Sequence, residues 1–153
     1  MAFDLERELL QLRDALNAAD IGYALCGGLA MAVHGLPRAT IDIDVLIRGD
    51  DLDRVVDIAS LLGFTFKARP MTFSSGAIEI RRISKVDQND GEVLFLDLLF
   101  VTPQIEEAWR TRESVPWRGA SLSVVSREGL IALKRFRSSD QDLVDISRLR
   151  EST

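Results

Sequence analysis

The stretch Thr40-Ile41-Asp42-Ile43-Asp44-Val45-Leu46-Ile47 decides how this chain is read. β-Branched residues recurring at every second position predict a strand over residues 40–47. Successive side chains of a strand point to opposite faces, so Asp42 and Asp44 share one face, roughly 6.5–7 Å apart along it. Ile41, Ile43 and Val45 point the other way, into a core. Two carboxylates side by side on an otherwise apolar strand repel each other and resist ionising together. A divalent cation removes that conflict, and Mg2+ prefers oxygen ligands. Such a pair can gather metal around a triphosphate. An isolated Asp-x-Asp is more often the wet face of an edge strand, so the neighbourhood has to decide.

Outward on the N-terminal side lies Gly27-Gly28. It follows an apolar run, residues 22–26, that predicts a short buried strand, and precedes a short helix over residues 29–34 ended by Gly35 and Pro37. Glycine lets a backbone approach a ligand closely, and amides at a helix start favour an anion such as phosphate. On the C-terminal side, Asp97 sits in Glu92-Val-Leu-Phe-Leu-Asp97-Leu-Leu-Phe100, a segment apolar on both faces as buried strands are. A lone buried carboxylate is costly unless paired, protonated or bound to metal. If its strand lies beside residues 40–47, three carboxylates converge. The third then binds metal or acts as base for an acceptor hydroxyl. Glu79, in the preceding strand, is the alternative third acid, with less apolar flanks.

The remaining elements follow from periodicity and caps. Leu5, Leu9, Leu12 and Leu16 form a helical stripe over residues 4–19, with Asp4 as N-cap. A helix over 51–62 leads to a short strand at 64–67. Strands over 77–86 and 92–101 are joined by a turn-rich Asp-Gln-Asn-Asp-Gly and predict a hairpin. Pro103 opens a helix to about 109, residues 121–125 form a last strand, Ser126 caps a helix to about 136, and a final helix covers 140–150. The fold class is therefore α/β (α+β): a small mixed sheet flanked by helices. One domain is expected over 1–153, with a core to about 125 and a helical tail over 126–150.

Composition narrows the function classes. A chain of 153 residues, 46% hydrophobic and 28% charged, is ordinary for a folded protein. Its net charge of −5 disfavours broad attraction to nucleic acid, which draws on clustered Lys and Arg. Arg81, Arg82 and Lys85, or Lys134, Arg135 and Arg137, could still form local basic patches. A single cysteine, Cys26, makes no internal disulfide, and residues 1–10 carry acids where a secretory signal would carry basic and then apolar residues. No apolar run reaches the roughly 20 residues that span a bilayer. A cytoplasmic protein without a membrane partner is expected.

Gly27-Gly28, Ala30, His34-Gly35, Arg38, Thr40, Asp42 and Asp44 together resemble the signature of the DNA polymerase beta-type nucleotidyltransferase superfamily. The similarity is strongest to its small bacterial branch, which includes the AbiEii-like toxins of abortive-infection systems. Leu130-Ile-Ala-Leu-Lys134, with Asp142 and Asp145-Ile146, is similar to the helical tail of that branch. The resemblance covers about 22–47 and 126–149. It implies that Gly27 and Gly28 hold nucleotide phosphates and that Asp42, Asp44 and Asp97 bind Mg2+, with two ions taking part. It also implies transfer of a nucleoside monophosphate from an NTP, such as ATP, to an acceptor hydroxyl on RNA, a protein or a small molecule. A cognate toxin or antitoxin is the partner it suggests, and a silent nucleotidyltransferase-like binding module is the alternative function. One departure stands out: where the family tail carries an Arg and a Lys, Ser139 and Gln141 occur here.

Single residues keep two readings each. Arg38 is a forked donor for a phosphate or a structural cation, and Thr40 a site residue or plain strand. Lys134 is a triphosphate contact or a solvated helix lysine. His34 lines the approach to the site or helps the last carbonyls of its helix. Asp142 and Asp145 are expected to pair with neighbouring cations, while Cys26, Trp109 and Trp117 belong to the packing.

Overall fold

The computed structural model describes residues 3–152. Met1, Ala2 and Thr153, which fall within the expected 1–153 domain, lie outside the described residues. Among the described residues six α-helices and eight strands follow in chain order: α1 (Leu5–Ala18), β1 (Ala24–Cys26), α2 (Gly27–Val33), β2 (Asp42–Ile47), α3 (Leu52–Leu61), β3 (Phe66–Lys67), β4 (Met71–Phe73), β5 (Ile78–Val86), β6 (Val93–Phe100), α4 (Glu106–Arg110), β7 (Glu113–Trp117), β8 (Ala120–Val124), α5 (Arg127–Arg137) and α6 (Asp140–Glu151).

The strands form one mixed sheet in the order β3-β5-β6-β2-β1-β8-β7, with β4 also paired to β5. β2 runs parallel to β6, and β1 parallel to β8; the other pairs are antiparallel. The expected hairpin is β5–β6, with Val86 opposite Val93 across the turn. The α/β class with a mixed sheet and flanking helices is thus the observed one. Two strands escape sequence reading. β7 contains Pro116, which argues against an interior strand, and it occupies an edge of the sheet where proline is tolerated. β4 is a three-residue strand just after Pro70.

One face of the sheet is closed by α1 and α3. Leu9, Leu12 and Leu16 of the predicted stripe are buried there, and Asp4 caps α1 by accepting from the Arg7 amide at 3.2 Å. Lys85 clips both helices to that face, donating to Glu8 of α1 at 2.8 and 3.0 Å and to the Leu62 carbonyl after α3 at 2.9 Å. Ile43, Val45 and Ile47 fill the core with no exposed surface. The opposite face carries the acids, and α2, α5 and α6 stand around it. Ser126 caps α5 through the Gly129 amide, and Ser139 with Asp142 forms a reciprocal capping box on α6. No helix among the described residues is long and apolar enough to cross a membrane.

Candidate active site

Strand β2 places Asp42 and Asp44 on one face, and β6 brings Asp97 beside them. Asp44 and Asp97 are register partners across the parallel β2–β6 pair, while Asp42 lies opposite Phe95. Neighbouring strands are about 4.8 Å apart, so the carboxylates of Asp44 and Asp97 are held as lateral neighbours. Both are buried. Glu79, the alternative third acid, is odd-numbered on β5, where Arg82 faces Asp97. Alternation therefore turns Glu79 to the opposite side of the sheet.

The crowding has electrostatic consequences. Burial, followed by the charge of Asp97, raises the Asp44 pKa to about 7. Asp42 is pushed upward by the same two causes in the same order. Oδ1 of Asp42 is buried without a hydrogen-bond partner. A carboxylate oxygen left in that condition is one that a cation would satisfy.

A cleft of about 170 Å3 opens over these acids, lined by Gly27, Gly28, Arg38 and Thr40 together with Lys134, Arg137, Ser139, Gln141 and Asp142. The glycines are not a loop ahead of a helix, as their position suggests; they form the first turn of α2. Gly27 has φ +67°, and a β-carbon there would strike the Asp44 carboxylate. A β-carbon on Gly28 would lie 2.8 Å from Thr40 and 3.3 Å from Nη1 of Arg38. Absent side chains at both positions keep this wall open.

Two of the cleft cations, Lys134 and Arg38, are tied to α6 through one carboxylate. Lys134, 5% exposed, is no solvated helix lysine: Nζ donates to Oδ2 of Asp145 at 2.9 Å and stands 3.8 Å from Asp142. Arg38 donates to the same Asp145 oxygen through Nε at 3.1 Å and sits with Nη2 3.0 Å from it. Gln141 donates to Oδ1 at 2.9 Å. Burial pushes the Asp145 carboxyl up, but the Lys134 hydrogen bond and charge, with Gln141 and Arg38, outweigh it and leave it below the usual range. Asp142 and Asp145 thus pair with cations, as the sequence leads one to expect.

His34 fits neither of its two readings. Its Nε2 meets the Val125 carbonyl at 2.8 Å, tying the end of α2 to the β8–α5 junction outside the cleft. Cys26 is fully buried, and burial with the nearby Asp44 charge raises its thiol pKa well above the ordinary value, so it packs rather than reacts. Trp109 is buried in the core, and Trp117 packs against it.

Two residues beyond the expected site set line the cleft, Arg82 and Arg137, each read from the sequence only as part of a local basic patch. Arg82 holds Asp97 with two hydrogen bonds, Nε to Oδ1 at 2.8 Å and Nη2 to Oδ2 at 3.0 Å. Arg137, at the end of α5, lines the cleft and reaches over the Phe73 ring at 5.7 Å. With both Asp97 oxygens given to Arg82, the expected three-carboxylate metal cage is not preformed. No group of three or more His, Cys, Asp or Glu among the described residues closes far enough to hold a metal ion as it stands. The oxygen-only donor set and the orphaned Asp42 oxygen nonetheless fit a hard divalent cation.

Solved structures place this architecture. A provisionally assigned nucleotidyltransferase from Thermotoga maritima matches at 18% identity and TM-score 0.57, over 97% of this chain and 88% of that one. The antibiotic-resistance factor ANT(2″)-Ia matches at 16% identity and TM-score 0.63, over 97% and 83% of the two chains. Its complex with adenylyl-2″-tobramycin matches at 13% identity and TM-score 0.62, over 92% and 84%. No protein-family model and no curated protein matches the chain. At these identities the likeness speaks for architecture: the chain has the nucleotidyltransferase fold.

Proposed function

We propose that this protein is a Mg2+-dependent nucleotidyltransferase that moves a nucleoside monophosphate from an NTP to an acceptor hydroxyl. The observation that carries this reading is the side-by-side placement of Asp44 and Asp97 on parallel strands, with the unsatisfied Asp42 oxygen beside them. Asp42 and Asp44, joined by Asp97, would hold the metal, two ions by the resemblance. Such a cation neutralises developing charge on the phosphates and positions attacking and leaving oxygens. The open wall at Gly27 and Gly28 leaves room for the phosphates, near Arg38 and Thr40. Lys134, held by Asp145, adds positive charge to the cleft lining. A protein of the same fold has been solved with an adenylylated ligand, which supports a nucleotide as occupant.

The motifs at 22–47 and 126–149 support a finer assignment to the AbiEii-like branch, acting in the cytoplasm with a cognate toxin or antitoxin. The acceptor would be RNA, a protein or a small molecule. The Arg82–Asp97 pair favours a second reading, a catalytically silent nucleotide-binding module, because it occupies the third carboxylate. Calorimetry with Mg2+ and a non-hydrolysable ATP analogue tests the first step shared by both. Saturable, metal-dependent binding that Asp42→Ala removes is expected. Absence of metal-linked binding in the native protein would overturn the enzyme reading, and binding without turnover across RNA, protein and small-molecule acceptors would favour the second.

A further inference from the structure

Within the cleft, charge is unevenly distributed among the three acids. Arg82 gives two parallel hydrogen bonds to Asp97, at 2.8 and 3.0 Å, while Oδ1 of Asp42 has no partner at all. A guanidinium fork on a carboxylate is the strongest pairing a side-chain cation offers. Arg82 is further steadied by lying 4.2 Å over the Phe95 ring, and it is register partner to Asp97 on the face that carries the acids. A guanidinium stays charged at any working pH, so this pairing is permanent in the absence of a competing anion. The other cleft cations are placed elsewhere, Arg38 and Lys134 on Asp145 and Arg137 against Phe73.

We propose that Arg82 is a positioning residue that withholds Asp97 from metal until nucleotide arrives. In the free protein the guanidinium stands in for a cation at Asp97. A triphosphate offers it alternative anionic oxygens, and Asp97 is released to join Asp42 and Asp44. Divalent-cation binding is thereby made conditional on nucleotide, so the empty site does not load metal unproductively. This inference rests on the metal–nucleotide reading of the cleft.

The test measures binding rather than turnover. Free Mn2+ is followed by electron paramagnetic resonance during titration of the native protein, Arg82→Gln, Arg82→Lys and Asp42→Ala, with and without a non-hydrolysable ATP analogue. Circular dichroism and thermal melts verify that each variant is folded. Without nucleotide, Arg82→Gln is expected to bind Mn2+ about tenfold more tightly than the native protein, because a competing positive charge has gone. Arg82→Lys, which keeps charge but loses the fork, is expected to fall between them, and the analogue is expected to narrow the gap. A residue with a merely structural role would not raise metal affinity when lost. Equal or weaker Mn2+ binding by Arg82→Gln, with native binding still dependent on Asp42, overturns the inference alone. If the native protein binds no Mn2+ even with the analogue present, the metal–nucleotide reading falls and the inference falls with it.

Discussion

A β-carbon on Gly27 would lie 2.2 Å from Oδ2 of Asp44 and 2.7 Å from its carboxyl carbon. The first turn of α2 and the carboxylate strand are in contact at the one point where any side chain would separate them. The Asp44 β-carbon would also lie only 2.9 Å away, and it is fixed by a strand in register with β1 at Cys26 and with β6 at Asp97. The left-handed backbone at Gly27 adds about 1–2 kcal/mol against any other residue. Gly27→Ala is therefore expected to destabilise the protein by roughly 2–4 kcal/mol and to abolish metal-linked nucleotide binding. Gly28→Ala meets only the Thr40 side chain and the end of Arg38, and should cost less. Urea denaturation of both variants checks the ranking; a Gly27→Ala protein as stable as the native one would refute the argued contact.

The raised Asp44 carboxyl makes stability depend on pH in an unusual direction. Unfolded, Asp44 titrates in the ordinary carboxylate range; folded, it does so at about 7. Between those values the folded protein keeps a proton that the unfolded chain releases, so stability falls as pH rises from about 4 to about 7. Above that the contribution is flat. Asp42, shifted the same way, adds to the slope. Asp44→Asn should leave stability unchanged near pH 4 and raise it by on the order of 2–4 kcal/mol at pH 8. Urea melts across pH measure this. A native protein whose Asp44-dependent stability rises over that interval would contradict the burial of paired carboxylates.

His34 separates a structural role from a site role. Its ring donates to the Val125 carbonyl at 2.8 Å, away from the acids. His34→Ala is expected to cost about 1 kcal/mol, the worth of one such bond, and to leave nucleotide affinity unchanged. Calorimetry decides; a large loss of affinity in a folded variant would place His34 in the binding machinery after all.

How much of this was legible in the chain depends on the range of each interaction. Period-two alternation suffices to put Asp42 and Asp44 on one face, because strand geometry is local. The pairing of residues 82 and 97 needs the observed hairpin register, because the linker read over 87–91 would set it one residue off. The neighbourhood of Asp44 and Asp97 is harder: it depends on β2 running parallel to β6, a connection between strands about 50 residues apart in the chain. The Arg38–Asp145 pair, separated by 107 positions, carries no local signal at all. Nor does the placement of Gly27, whose steric role appears only once Asp44 stands behind it. β4 and β7 are missed for the opposite reason: their local signals, shortness after Pro70 and Pro116 within the strand, argue against strands that sheet edges tolerate.

Asp145 should prove the most sensitive residue of the tail. With no exposed surface, its Oδ2 receives Lys134 at 2.9 Å and Arg38 at 3.1 Å, and its Oδ1 receives Gln141 at 2.9 Å. Removing one partner from a buried ionic cluster leaves uncompensated charge, typically costing about 3–5 kcal/mol. Asp145→Asn is expected to lie in that range, since it keeps the shape but removes the negative charge that two cations pair with. Its folded carboxyl is held below the usual range, so its contribution is present at neutral pH and is lost as pH falls from the usual carboxylate range through the lower folded value. The double variant Lys134→Met/Asp145→Leu removes both charges and fills the volume, so it should recover much of the lost stability. It should not recover nucleotide binding, because the Lys134 charge is gone and Arg38 is no longer held. Urea melts and calorimetry on the two variants give both readouts. Full stability in Asp145→Asn, or native nucleotide affinity in the double variant, would show that this carboxylate does not organise the cleft.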